Sequence, residues 1–303
     1  MLRYDLLRAD DGAQISCSRS DPQERILEAA RAERGHSRRV GAAFGGSGFS
    51  GSSKAGSPKR QPSHKASPQT VLRSFNTWAF KREQPAEPQL MLQNIARSIA
   101  RGEAISFVLY WGKGPRSRLD APDIECLDYL DSLARRVREA YEPGAAIKLI
   151  FTDTHAALNG HTPESMRDYF GAIEVAARER GFSACWLGQL TRAVQIVGTG
   201  DAFDDVVPEE TLRRLAASAA KWYRGGGTPE EGALKYYRMN MLEKRAVQLA
   251  FPHSIFVTFN GSEFRSLFPE RLPVFYSYSL RRGFSVKPWF LPPVPPSFNA
   301  RGN

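Results

Sequence analysis

Two hydrophobic patterns alternate along this chain: residues recurring every three or four positions, and short apolar runs that are almost unbroken. Residues 88–101 place Leu90, Leu92, Ile95 and Ile99 on or near one face and stop at Gly102, which predicts a helix. Residues 104–111 follow as a nearly continuous apolar strand, the pattern of a strand covered on both sheet faces. The next helix is the most strongly patterned element. Pro122 and Asp123 form its first turn, Ile124, Leu127, Leu130, Leu133, Val137 and Tyr141 make its apolar stripe, and Pro143-Gly144 ends it.

A second strand is expected over 146–152. Thr162-Pro163-Glu164 then supplies an N-cap, a proline at the first helical position and an early acid for a helix running to about Arg180. Further on, the pattern predicts a strand at 182–187, a helix at 208–224, a glycine joint at Gly225-Gly226-Gly227 and a long helix from Pro229 to about Ala250. Strands at 254–260, 273–279 and 284–287 complete the series. Helices alternate with strands at first, and strands then follow one another. The expected fold is therefore a three-layer, Rossmann-like α/β sandwich whose mixed sheet is parallel in its first half and antiparallel toward the C-terminus.

Composition changes this picture at the two ends. Residues 41–69 are Gly, Ser, Pro and Lys with almost no large apolar side chain, too little to offset chain entropy. Residues 1–70 therefore read as a basic, disordered tail, with a short amphipathic helix at 22–34 before the Gly/Ser stretch. Residues 71–290 read as one α/β domain, and residues 291–303, with four prolines, as an extended tail. The formal net charge is +10, but residues 1–70 carry twelve Lys/Arg against seven Asp/Glu, so half of the excess lies outside the folded unit.

That placement weakens the case for a nucleic-acid reader, and no RNP-like, helix-turn-helix or zinc-finger pattern supports one. Cys17, Cys126 and Cys185 are too few and scattered for a disulfide framework, and no CxxC pair suggests zinc. No apolar run approaches the ~20 residues of a membrane span, and the first residues lack the apolar core of a secretory signal. A cytoplasmic location without membrane contact is the expectation.

Candidate chemistry lies at two strand ends. After the first strand comes Trp111-Gly112-Lys113-Gly114-Pro115-Arg116-Ser117-Arg118, where Gly112 and Gly114 let backbone approach a ligand while Lys113, Arg116 and Arg118 offer cations suited to phosphate or carboxylate. The loop does not match GxxxxGK[ST]. After the second strand come Asp153, His155, Asn159 and His161, which suit a general base with an orienting carboxylate or part of a metal site. A right-handed crossover between the strands would bring both ends to one edge of the sheet, where α/β folds bind ligands.

A catalytic zinc wants three protein ligands, and this set offers few, so no metal is assigned; a metal-assisted hydrolase or transferase using Asp153, His155 and His161 is the alternative. Neither a GxSxG elbow nor a Rossmann GxGxxG is present. Lys235-Tyr236-Tyr237-Arg238 and Arg281-Arg282 with Lys287 are cation-aromatic groups that could complete an anion pocket, with Tyr237 and Arg282 as its candidates.

Lys113-Gly114-Pro115, Pro122-Asp123, Tyr141-x-Pro143-Gly144, the strand ending in Asp153, and Arg245 followed by Pro252-His253 come in an order that resembles the isonitrile synthase family of pyoverdine-type and spore-wall dityrosine biosynthesis. The family's Ser-Asp-Gly is here Thr152-Asp153-Thr154-His155, and its His-Pro pair is reversed. The resemblance implies a Rossmann-like fold with Lys113, Asp123, Glu125, Tyr141 and Asp153 as site residues. It also implies an enzyme without redox cofactor that condenses the amine of an aromatic amino acid with a pentulose phosphate carbonyl, its small-molecule substrates, and an iron oxygenase as partner in the same pathway. On that reading the Lys113, Arg116 and Arg118 loop holds phosphate, while Asp153, His155 or Glu125 moves protons.

Overall fold

Five parallel strands in the order β3-β2-β1-β4-β5 form the central layer of the molecule, described here from a computed structural model. The structure describes residues 66–112, 118–196 and 209–278, with Val207 and, nearer the start, Pro22, Glu24 and Ile26. Most of the expected tail at 1–70, the tail at 291–303, the strand at 284–287, and the candidate residues Lys113, Gly114, Arg116 and Arg282 lie outside the described residues, save those three positions near the start and residues 66–70, which lead into a helix from Pro68 rather than a disordered tail.

Helix α1 (Pro68–Phe75) begins the continuous fold, with Ser67 accepting the Thr70 N–H at its N-terminus. Then come α2 (Pro88–Arg101), β1 (Ile105–Trp111), α3 (Ala121–Ala140), β2 (Ala145–Phe151), a short helix α4 (Asp153–Leu158), α5 (Pro163–Glu179) and β3 (Ser183–Trp186). The chain continues through α6 (Leu187–Ile196), α7 (Glu209–Trp222), α8 (Pro229–Ala250), β4 (Ile255–Thr258), a 3-10 turn (Ser262–Leu267) and β5 (Val274–Tyr276).

The alternation of side chains along the strands fills two cores. Phe107, Leu109, Trp111, Leu149 and Phe151 point toward α1, α2, α3 and α5, whose Phe75, Met91, Ile95, Leu127, Leu130 and Phe170 pack against them. Val108, Ile150, Phe256 and Val274 face the opposite side, against Leu190, Leu215, Tyr236, Val247 and the buried Ile26. Strands covered on both faces need continuous apolar sequence, which is why β1, β2 and β4 read so clearly.

The antiparallel C-terminal half that the sequence suggests is not found among the described strands: β4 pairs parallel with β1, and β5 parallel with β4. Parallel neighbours need a connection of roughly a dozen residues or more, and the segment 259–273 provides one. Arg265 holds that segment in shape, its guanidinium donating to the carbonyls of Phe268, Pro269, Glu270 and Leu272 and to Glu87. Lys244, nearly buried on α8, donates to the Ser266 carbonyl and to Glu270 from the other side. The antiparallel partner of β5 comes instead from upstream, through bridges at Lys81–Ser277 and Ala86–Val274, and these cover a sheet edge that would otherwise be open.

The ends of β1 and β2 are pinned to each other. The Thr152 N–H donates to the Trp111 carbonyl at 3.1 Å, and the Thr152 hydroxyl donates to the carbonyls of Trp111 and Gly112. Gly112 has φ +74, and a Cβ there would stand 2.7 Å from the Phe170 ring, which is stacked on Phe151. Gly112→Ala is therefore expected to cost about 1–3 kcal/mol through backbone strain and lost aromatic packing, read as a lower midpoint in urea with an unchanged slope.

Candidate functional site

Strand β1 sits between β2 and β4, so its C-terminal end is the point where successive connections leave in opposite directions. Such a reversal opens a crevice beyond the strand ends, the usual ligand position of doubly wound sheets. Gly112 lies at this point, and the polar groups flanking it fall into two sets on opposite faces of the sheet.

On the α3 and α5 side, Asp123 is buried in the first turn of α3. One carboxylate oxygen accepts the Asp120 N–H at 3.2 Å, the other accepts the Tyr169 hydroxyl at 2.9 Å. The Tyr169 ring approaches Gly112 closely, 3.4 Å from where a Cβ would be. Asp123 thus serves as a helix N-terminal acid that also fixes a tyrosine beside the β1 loop. Glu125 is half-buried on the same helix, and Arg118, just ahead of it, is exposed.

On the α8 side, the segment expected to turn after β2 is instead the helix α4. Residues two apart on a helix do not share a face, and Asp153 and His155 accordingly go to different partners. Asp153 accepts the Gly188 N–H at 2.8 Å, at the start of α6. The His155 imidazole is buried, with Nε2 2.7 Å from an oxygen of Glu243, which is fully buried on α8. The other Glu243 oxygen accepts the Thr154 hydroxyl at 2.6 Å. The carboxylate that orients the imidazole is therefore Glu243, not Asp153. In the tautomer that donates from Nε2 to Glu243, Nδ1 is the ring nitrogen left to accept a proton.

Burial raises the Asp153 carboxyl above the ordinary carboxylate value; the Gly188 bond and two local backbone N–H bonds oppose the shift, and the charge of Glu243 adds to it. Tyr110 and Tyr236 are pushed well up, first by burial and then by the same Glu243 charge. Tyr236 also lies edge-on to the His155 ring, centroids 5.3 Å apart. A carboxyl biased toward its protonated form beside a buried histidine-glutamate pair is a set able to deliver and receive protons.

Gly188 makes this seat possible, because a Cβ there would stand 2.5 Å from the second Asp153 oxygen. Gly188→Ala is expected to expel the carboxylate from the α6 terminus, returning its titration toward the ordinary value. Carbon-detected NMR of labelled Asp153 would measure this, and an unmoved midpoint would contradict it.

Asn159 caps the end of α4, its N–H donating to the His155 carbonyl at 3.0 Å, while His161 follows half-buried, its N–H bonded to the Ala156 carbonyl. Tyr237 is half-buried and packs against the second core. Among the described residues, no three His, Cys, Asp or Glu side chains converge to hold a metal ion, because His155 is turned to Glu243 and Asp153 to Gly188. Nor is any described helix long and apolar enough to cross a membrane.

Sequence reading did not single out Glu243 or Tyr110. Glu243 lies one turn beyond Asn240 and two beyond Tyr236, within a stripe otherwise occupied by Ala233, Ala246 and Val247. An acid on an apolar stripe is the signal that could have found it.

No family model matches the chain, and no curated protein matches it. Among solved structures, the crystal structure of the PvcA protein from Pseudomonas aeruginosa is similar, with a TM-score of 0.50 and 19% identity, over 69% of this chain and 92% of that one. At that identity the likeness is one of fold.

Proposed function

We propose that the chain is an isonitrile-synthase-like enzyme of specialised metabolism, joining the amine of an aromatic amino acid to the carbonyl carbon of a sugar phosphate. The observation that carries this reading is the convergence of Asp153 and the buried His155–Glu243 pair on the end of β2, hydrogen-bonded through Thr152 to the root of the Lys113 loop. Support comes also from the motif order along the sequence and from the Rossmann-like sheet that the family resemblance implied.

Forming the carbinolamine asks for two proton movements, its dehydration for two more, and neither step changes an oxidation state. The amine nitrogen forms a bond to the carbonyl carbon and gives up a proton, the carbonyl oxygen gains one, and the resulting carbinolamine loses water to give an imine. His155, with Nε2 held by Glu243, would receive the amine proton at Nδ1. Asp153, whose carboxyl burial raises above the ordinary carboxylate value, would supply a proton to the oxygen. Lys113, Arg116 and Arg118 would hold the phosphate, a role that for the first two rests on the sequence. Asp123 would fix Tyr169 beside the loop, and Glu125 stands in reserve as a further acid.

Incubation of the purified chain with isotopically labelled tyrosine or tryptophan and a pentulose phosphate, followed by untargeted mass spectrometry, tests the reading. Enzyme-dependent loss of both substrates into a nitrogen-labelled product is expected. Consumption of neither, for any of the aromatic amino acids, would overturn it.

A further inference from the structure

We propose that the segment carrying Pro22, Glu24 and Ile26 is an anchor, docked as a helix against α6 of its own chain, and that it thereby steadies the seat of Asp153. All three residues are helical. Pro22 and Ile26 lie one turn apart on one helix face, and that face is turned inward. Ile26 is fully buried and shares the second core with Leu187, Leu190 and Val194 of α6. Pro22 lines a cavity of about 160 Å³ together with Gln189 and Leu190 of α6 and Cys185 and Trp186 of β3. Glu24, on the other face, is exposed.

An isolated helix of a few turns is marginal in water, so this one owes its shape to the surface that buries its inner face. The 39 residues between Ile26 and Ala66 are rich in Gly, Ser and Pro. A Gly/Ser-rich chain of that length spans roughly 35 Å on average, enough for the segment to return to its own fold. The surface it meets bears on the candidate site. Helix α6 starts at Leu187, and the next residue, Gly188, donates the N–H that Asp153 accepts at 2.8 Å. Leu187 is fully buried in the same core as Ile26. Loosening the packing behind α6 therefore loosens the bond that holds Asp153, whichever reaction the site performs.

Thermal melting and hydrogen exchange of the full chain test this without any turnover, so their outcome is separate from that of the enzymatic reading. Ile26→Asp puts a charge where an aliphatic side chain is enclosed, and it should lower the thermal midpoint by at least about 5 °C. Exchange over Leu187–Ile196 should quicken at least about tenfold more than over Pro88–Arg101 of α2, which packs on the other face of the sheet. Glu24→Ala should change neither. An unchanged midpoint, or exchange that rises equally in both helices, would overturn the proposal. Cross-linking leaves Ile26 intact and decides the matter even where Ile26→Asp fails to fold. In a chain carrying Cys17→Ser and Pro22→Cys, a short bis-maleimide should join position 22 to Cys185 within one chain. A link formed only between chains would make the occupant a second copy's segment, and no link would leave the segment undocked; either result would overturn the proposal.

Discussion

Glu243→Leu is expected to destabilise the protein by about 3–5 kcal/mol, the cost of removing one partner from a buried ion pair or its hydrogen-bonded equivalent. The substitution strands the His155 nitrogen in a buried site and leaves the half-buried Thr154 hydroxyl without its carboxylate partner. For a folded unit of this size the thermal midpoint should fall by roughly 10 °C. Loss of a mere surface contact would move it by far less. Converting both residues, His155→Leu with Glu243→Leu, should cost less than the sum of the single changes, since neither then leaves a polar group behind. A double-mutant cycle by thermal melting measures the difference, and strict additivity would show that the pair is not coupled.

Asp153→Asn is expected to act in the opposite way. The amide oxygen can still accept the Gly188 N–H, so the anchor of α6 survives. The folded chain holds the Asp153 proton more tightly than the unfolded chain does, so ionisation of this group works against folding. Its contribution to stability therefore falls as pH rises from the ordinary carboxylate range through the raised folded value. At neutral pH the asparagine variant should accordingly melt at the same temperature as the parent or higher, and its advantage should vanish in acid below both values. Turnover, by contrast, should drop by about 10²–10⁴, the usual contribution of a positioned acid or base. A variant that keeps its activity, or one that loses stability in parallel, would make Asp153 a structural cap and nothing more.

These two residues also mark how far the sequence could be read. Helices α2, α3 and α5 and strands β1 to β3 were legible, and α1 and α4 were not, because burial on both sheet faces demands unbroken apolar runs such as Ile105–Trp111, while one-sided burial demands the stripe of α3. The direction of the last strands was not, because direction depends on the crossover at 259–273, whose shape is set by Arg265 and Lys244 reaching carbonyls that sequence spacing does not reveal. Asp153 and His155 were visible as a polar step after an apolar strand. Their separation onto two faces was not, since a helix as short as α4 carries too few residues for a period to register. Glu243 lies 88 positions beyond His155, and only the packing of α8 into the second core brings them into contact.

The account rests on the end of β2 being a place where an amine meets a carbonyl. Reductive trapping tests this most directly: the full chain is incubated with nitrogen-labelled tyrosine, a pentulose phosphate and cyanoborohydride, and the labelled secondary amine is followed by mass spectrometry. The expected result is a trapping rate well above that of the substrates alone, falling to the background rate with Asp153→Asn. A rate equal to background for the unaltered chain, or one that Asp153→Asn leaves unchanged, would contradict it.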